Sequence, residues 1–104
     1  MIPTKITFFE FLIPFVVSGK KTITIRDESE SHYVPGTIVE VHALETDKRA
    51  CTIEIESVEP LKYDDINTFH AQQEYMDLPE LKRLIREIYP DIEELFVISY
   101  KLIP

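Results

Sequence analysis

Two apolar runs separated by a short polar connection constrain the fold of this 104-residue chain more than any other feature. Residues 37–44 and 50–58 are rich in Ile, Val and Thr, a composition typical of β-strands. Residues 45–49 between them are all polar and predict a hairpin loop, so the two runs should pair antiparallel. Because proline cannot donate to a ladder, we predict that the second strand ends before Pro60.

The rest of the apolar pattern predicts helices and further strands around this hairpin. We predict a short extended segment over 4–7, strands over 22–26 and 94–103, and helices over 8–18, 63–75 and about 77–89. Pro14 lies inside the first helix, so a kink there and a helix that begins there are both open alternatives. Asp77 and Glu80 have the spacing of a capping box for the last helix. We therefore expect residues 1–104 to form a single α+β domain, with a mostly antiparallel sheet or barrel and peripheral helices.

The net charge of −8 lies entirely in the later part of the chain. Residues 1–39 carry four bases and four acids, whereas residues 40–104 carry seven bases and fifteen acids. Lys20, Lys21 and Arg26 form a local positive segment, with no acid between Glu10 and Asp27. This segment is either a solvated basic stretch or the edge of a cleft for an anionic or polar ligand. The overall acidity argues against a long RNA partner, because non-specific affinity depends on cations that neutralise phosphates.

The single cysteine and the apolar run 8–17 indicate the compartment. Cys51 cannot form an internal disulfide or a cysteine zinc site, and its strand setting favours a buried, unreactive thiol. We therefore expect a reducing, cytoplasmic environment. The run 8–17 is interrupted by Glu10 and Pro14 and has about half of the ~20 residues that a membrane span needs. We expect neither a membrane segment nor a signal peptide.

The strand predicted over 22–26 brings chemically useful side chains together. A period of two places Thr22, Thr24 and Arg26 on one face, with Lys21 at the start of the strand. A threonine hydroxyl becomes a nucleophile when a base takes its proton, and a neutral lysine can be that base. Burial and the neighbouring cations would lower the pKa of Lys21. Threonine is also common in strands for its branched shape alone, so the spacing leaves both interpretations open.

His70 and Glu74 lie one helical turn apart, which suits two metal ligands or a proton-transfer pair. His32 and His42 could complete a metal site, but nothing in their spacing requires it. Isolated histidines are more often surface or hydrogen-bonded core residues. Only two glycines are present, so a glycine-rich phosphate loop is excluded. We predict neither a metal nor another cofactor.

The segment 19–32, GKKTITIRDESESH, resembles the signature of the bacterial ASCH-domain family of small N4-acetylcytidine amidohydrolases. The segments Ile6–Phe9 and His70–Glu74, with Met76 and Leu81-Lys82 after them, are similar to the same family, so the resemblance covers essentially the whole chain. It implies a PUA-like fold, a small and mostly antiparallel β-barrel with flanking helices. It also implies hydrolysis of the acetyl amide of N4-acetylcytidine to cytidine and acetate.

The resemblance also implies a role for each matching residue. Lys21 corresponds to the proton acceptor, Thr24 to the nucleophile and Glu74 to the proton donor, which must then carry a proton. Arg26 is a candidate for substrate binding and, like backbone amides near Thr24, for stabilising the oxyanion. The expected partner is a small nucleoside, and the alternative is a PUA-like module that binds RNA without catalysis. The physiological form of the substrate (nucleoside, nucleotide, base or acetylated RNA) and the oligomeric state stay open.

Overall fold

A computed structural model describes residues 2–104 of the chain. Its strands are β1 (Lys5–Phe8), β2 (Ile23–Arg26), β3 (Ile38–Ala43), β4 (Arg49–Lys62) and β5 (Glu94–Ile103). Its α-helices are α1 (Ile13–Val17), α2 (Thr68–Glu74) and α3 (Leu78–Ile88), and short 3₁₀ turns cover Glu10–Leu12, Glu28–Glu30 and Tyr63–Asp65. No helix within residues 2–104 is long and apolar enough to cross a bilayer.

The strands form one mixed sheet in the order β1-β3-β4-β5-β2. The β1–β3 pair is parallel and the other pairs are antiparallel, including the predicted β3–β4 hairpin. These pairings confirm the α+β class and the mostly antiparallel sheet. The sheet is not closed into the predicted barrel, because no backbone pairing among the described residues joins β1 to β2. Across this opening the Arg26 side chain bridges the strands, with Nη2 donating to Thr7 O at 2.8 Å.

The prediction that the strand ends before Pro60 is wrong, since β4 continues to Lys62. The pairing of β4 with β3 ends at Glu54, whereas its pairing with β5 continues through Pro60 opposite Phe96. Ile55 still exchanges backbone hydrogen bonds with Gly36 and Thr37, and beyond Ile55 the described ladder of β4 pairs it with β5 only. A proline that lacks an N–H group is tolerated on such an edge.

The first helical segment is shorter than predicted and begins later. Phe8 ends β1, a 3₁₀ turn starts at Glu10, and α1 starts at Ile13 with Pro14 in its first turn. The alternative in which the helix begins near Pro14 is thus the right one. The first turn of a helix does not use the N–H group that proline lacks.

Asn67 divides the helix predicted over 63–75. Its side chain accepts the Phe69 N–H at 2.9 Å, and His70 Nδ1 accepts the Asn67 N–H at 3.1 Å, which together form a capping box for α2. The prediction for α3 is close to its observed bounds, but the predicted capping box is wrong. Asp77 occupies the N-cap position, yet its side chain accepts no capping hydrogen bond from residues 2–104.

Two apolar clusters fill the space between the sheet and the helices. One packs α1 against β1, β3, β4 and β5, and its fully buried members include Val16, Val41 and Ile53. The other packs β2 against α2 and α3 and contains Ile25 and Leu81. A buried residue of this size contributes roughly 1.5–3 kcal/mol to stability. The second cluster fixes β2 against α2, and this placement builds the site described next.

Candidate active site

Lys21, Thr24 and Glu74, the three residues to which the resemblance gives a role in proton transfer or nucleophilic attack, line one cavity of about 320 Å³. This volume lies at the low end of the ~300–1,000 Å³ range of small-molecule sites. The side chains of Phe8 and Arg26 also line it, and apolar residues of α3 form one wall. Residues of both β1 and β2, the two strands on either side of the opening in the sheet, line the cavity.

Backbone hydrogen bonds bring Glu74 to Lys21, although 53 residues separate them in sequence. The Thr22 N–H donates to Gln73 O at 2.8 Å, which ties the start of β2 to the end of α2. On the other side, the Tyr100 hydroxyl donates to Lys21 O at 3.0 Å. Lys21 is thus held between α2 and β5 by contacts that local spacing could not predict.

Lys21 and Glu74 form a buried pair, with side-chain contact between Nζ and Oε1. The two residues are 2% and 4% exposed, and Lys21 Nζ also donates to Ile23 O at 2.7 Å. Burial, and secondly the Arg26 charge, hold the pKa of Lys21 well below its usual range. The neutral amine that a general base requires is therefore accessible, and a proton shared by such a pair can lie on either partner.

Thr24 is 4% exposed, and its hydroxyl oxygen accepts a hydrogen bond from Arg26 Nε at 2.8 Å. The predicted period of two thus places Thr24 and Arg26 side by side. Within residues 2–104 no hydrogen bond joins Lys21 Nζ to Thr24 Oγ1, because Lys21 is directed to Ile23 O and Glu74. Lys21 and Thr24 thus line the same cavity with no hydrogen bond between their side chains. Substrate contact by Arg26 stays a prediction.

The histidines do not assemble as the metal alternative requires. His70 caps α2, and His42 lies in the β3–β4 hairpin, where it contacts Asp47 O at 2.8 Å and Glu40 at 2.9 Å. Among the described residues no group of three or more His, Cys, Asp or Glu side chains could hold a metal ion. Cys51 is half-buried, and burial raises the pKa of its thiol, in agreement with the predicted unreactive role.

Two residues that no sequence pattern singled out, Glu30 and Tyr89, also line the cavity. Glu30 Oε1 accepts from Arg26 Nη1 at 2.6 Å, and its Oε2 accepts from the Tyr89 hydroxyl at 3.1 Å. Glu30 stands in the sequence only within the segment that resembles the family signature, and Tyr89 only at the end of the predicted last helix. Arg26 and Glu30 are four residues apart, a spacing that predicts an ion pair in a helix. Because residues 22–26 are predicted as a strand, that spacing did not predict a contact here.

The comparisons with known proteins agree with this fold. The family model of the ASCH domain matches residues 5–101. The N(4)-acetylcytidine amidohydrolase of Vibrio campbellii is 71% identical over 97% of this chain and 95% of its own length, and that of Vibrio parahaemolyticus is 70% identical over 97% and 94%. The crystal structure of an ASCH domain from Lactobacillus crispatus superposes with a TM-score of 0.76 at 16% identity, over 95% of this chain and 79% of that one. By sequence and by fold, the chain belongs to the ASCH-domain family.

Proposed function

We propose that this protein is an amidohydrolase that converts N4-acetylcytidine and water to cytidine and acetate. The observation that carries the proposal is the buried Lys21–Glu74 pair beside Thr24, in a cavity of small-molecule size. The 71% identity to an enzyme named for this substrate supports the choice of amide. A cytoplasmic location stays part of the proposal.

In the first step, Thr24 Oγ1 attacks the acetyl carbonyl carbon while its proton passes to neutral Lys21 Nζ. The new bond joins the threonine oxygen to the acetyl carbon, and the carbonyl oxygen becomes an oxyanion. The burial that lowers the pKa of Lys21 supports this role. Lys21 Nζ must approach Thr24 Oγ1 when substrate is bound, as catalytic hydrogen bonds often form only in the complex.

In the second step, the bond between the acetyl carbon and N4 breaks, and Glu74 gives its proton to N4 as cytidine leaves. The acetyl group is now an ester of Thr24. Lys21 holds the proton taken from threonine, and Glu74 has lost one. Because Nζ and Oε1 are in contact, that proton can pass from Lys21 to Glu74, which restores both groups without bulk solvent.

In the third step, water attacks the acetyl ester and Lys21 takes a proton from it. The ester bond breaks, the proton passes from Lys21 to the Thr24 oxygen, and acetic acid leaves and ionises to acetate in solvent. The three side chains thus account for every proton transfer within the site, with Arg26 or backbone amides near Thr24 as candidates for stabilising the oxyanion.

The charge distribution supports a small substrate. The excess of −8 lies in residues 40–104, whereas Lys20, Lys21 and Arg26 lie in the first part of the chain. Of these three, only Lys21 and Arg26 line the cavity, and an acidic protein with so little positive charge there suits a small polar molecule better than a polyanion. Phe8 and the α3 wall supply apolar surface for a pyrimidine ring.

The test is to incubate the protein with N4-acetylcytidine and to follow cytidine by chromatography. The same assay with the acetylated base, the 5′-monophosphate and an acetylated RNA oligonucleotide ranks the four substrate forms. We expect cytidine to form and chelators to leave the rate unchanged. No turnover of any of the four, together with RNA binding that weakens steeply with salt, would overturn the proposal in favour of an RNA-binding module.

A further inference from the structure

The guanidinium of Arg26 is held by three protein oxygens. Nε donates to Thr24 Oγ1 at 2.8 Å, Nη1 to Glu30 Oε1 at 2.6 Å and Nη2 to Thr7 O at 2.8 Å. The Phe8 ring centroid lies 5.0 Å from the guanidinium carbon. Arg26 is only 9% exposed, so these contacts determine where its plane lies.

The Nε contact is directed at the proposed nucleophile. A cationic N–H donor stabilises the deprotonated form of the oxygen that it contacts more than the neutral form. When Thr24 Oγ1 loses its proton, this donor is already within hydrogen-bond distance. Arg26 keeps its own proton throughout, and the threonine proton still goes to Lys21.

Glu30 fixes the orientation of the guanidinium from the opposite side. One carboxylate oxygen accepts from Arg26 Nη1, and the other accepts from the Tyr89 hydroxyl at 3.1 Å. Tyr89 is the C-terminal cap of α3, so this chain of contacts links the helix to β2. Burial, and secondly Glu30, raise the pKa of Tyr89 to about 12, so its hydroxyl remains a donor at neutral pH.

We infer that Arg26 is a further catalytic residue, which stabilises the Thr24 alkoxide through Nε, and that Glu30 and Tyr89 are positioning residues that hold the guanidinium in this orientation. The inference rests on the proposed deacetylation. In this inference Arg26 acts on the Thr24 oxygen, whereas a substrate-binding role would require its guanidinium to face the ligand.

The test measures kcat and KM for N4-acetylcytidine in folded single and double variants. Removing a charged donor to a developing anion, as in Arg26→Ala, should lower kcat about 10²-fold. Arg26→Lys should not restore it, because an ammonium lacks the planar fork. Glu30→Ala should lower kcat about tenfold and Tyr89→Phe about threefold, each with nearly unchanged KM, since each loses one hydrogen bond of the chain. Glu28→Ala, an exposed neighbour in the same turn, is the matched control and should behave as wild type.

Double variants distinguish a chain of contacts from separate effects. If Glu30 and Tyr89 act through Arg26, adding Glu30→Ala to Arg26→Ala should cause no further loss. Multiplying effects, or a raised KM with unchanged kcat in Glu30→Ala, would overturn the inference. Tyr89→Phe keeps the half-buried ring, so its kcat and KM test the inference if Glu30→Ala does not fold.

A readout without turnover separates this inference from the proposed function. The Nε–H resonance of Arg26 in ¹⁵N-edited NMR spectra should shift in Tyr89→Phe and stay unchanged in Glu28→Ala. An unmoved resonance in Tyr89→Phe contradicts the positioning roles even in an active enzyme. An inactive wild type with a shifted resonance contradicts the proposed function and leaves the contact chain confirmed.

Discussion

Replacing Glu74 with glutamine should make the stability of the protein depend on pH in a way that wild type does not. The proposed mechanism starts with one proton on the Lys21–Glu74 pair of wild type, whichever partner carries it. The unfolded chain also holds one proton on these two groups between about pH 5 and pH 10, since the lysine is charged and the carboxylate is not protonated. Folding therefore changes no proton count at this pair, and stability should be nearly independent of it.

Glu74→Gln removes the acidic member and leaves Lys21 2% exposed beside Arg26. Burial and the Arg26 charge keep the pKa of Lys21 in the folded protein well below 10.5. Between that lowered value and about 10.5 the unfolded chain binds one more proton than the folded one. Stability should therefore rise with pH across this window, by up to about 1.4 kcal/mol per pH unit. This is a large effect against a total of ~5–15 kcal/mol.

The assay is urea unfolding of Glu74→Gln from pH 7 to pH 10, with wild type and Lys21→Met/Glu74→Gln as controls. The double variant has no titrating group at the pair and should follow wild type in shape. A Glu74→Gln curve as flat as that of wild type would refute the reasoning, because Lys21 would then keep its charge in the buried site. If the free energy of unfolding still rises with pH in the double variant, a group other than Lys21 causes that rise.

Three further predictions concern the surrounding structure. Asn67→Ala should cost about 1 kcal/mol by urea unfolding and Asp77→Ala much less, since only Asn67 accepts a capping hydrogen bond. His42→Gln should remove a pH dependence of wild type, because contacts with a backbone carbonyl and a carboxylate raise the pKa of His42. The stability that protonated His42 contributes is fully present below about pH 6.5 and is lost as pH rises through the raised pKa of His42. A Tm series from pH 5 to 8 would detect this loss in wild type and not in His42→Gln. Cys51 should react with a thiol reagent more slowly in the folded protein than in urea at the same pH, and equal rates would contradict its half-buried position.

The local elements were largely predictable because they follow from periodicity. The β3–β4 hairpin, α3 and β5 match their patterns, and the period of two correctly paired Thr24 with Arg26. Features set by tertiary contact were not predictable in this way. Pro60 is accommodated because β4 continues past the end of its pairing with β3. The residues around Pro60 contain no pattern that predicts this.

The site shows the same division. Local spacing suggested that Lys21 could act on Thr24, but only the resemblance to the family predicted that Glu74 belongs to the same site. The contact between Lys21 and Glu74 depends on the backbone hydrogen bond from the Thr22 N–H to Gln73 O. Tyr89 lies 59 residues from Glu30, and a link of that separation leaves no local pattern to detect.

Comparing Thr24→Ala with Thr22→Ala tests the central claim most directly. Both threonines precede or lie in β2, but only Thr24 lines the cavity and contacts Arg26. With N4-acetylcytidine as substrate, folded Thr24→Ala should lose at least about 10³-fold in kcat/KM, as expected for loss of a nucleophile. Thr22→Ala should stay close to wild type. Turnover by folded Thr24→Ala within about tenfold of wild type, one power of ten or ~1.4 kcal/mol of barrier, would contradict the account.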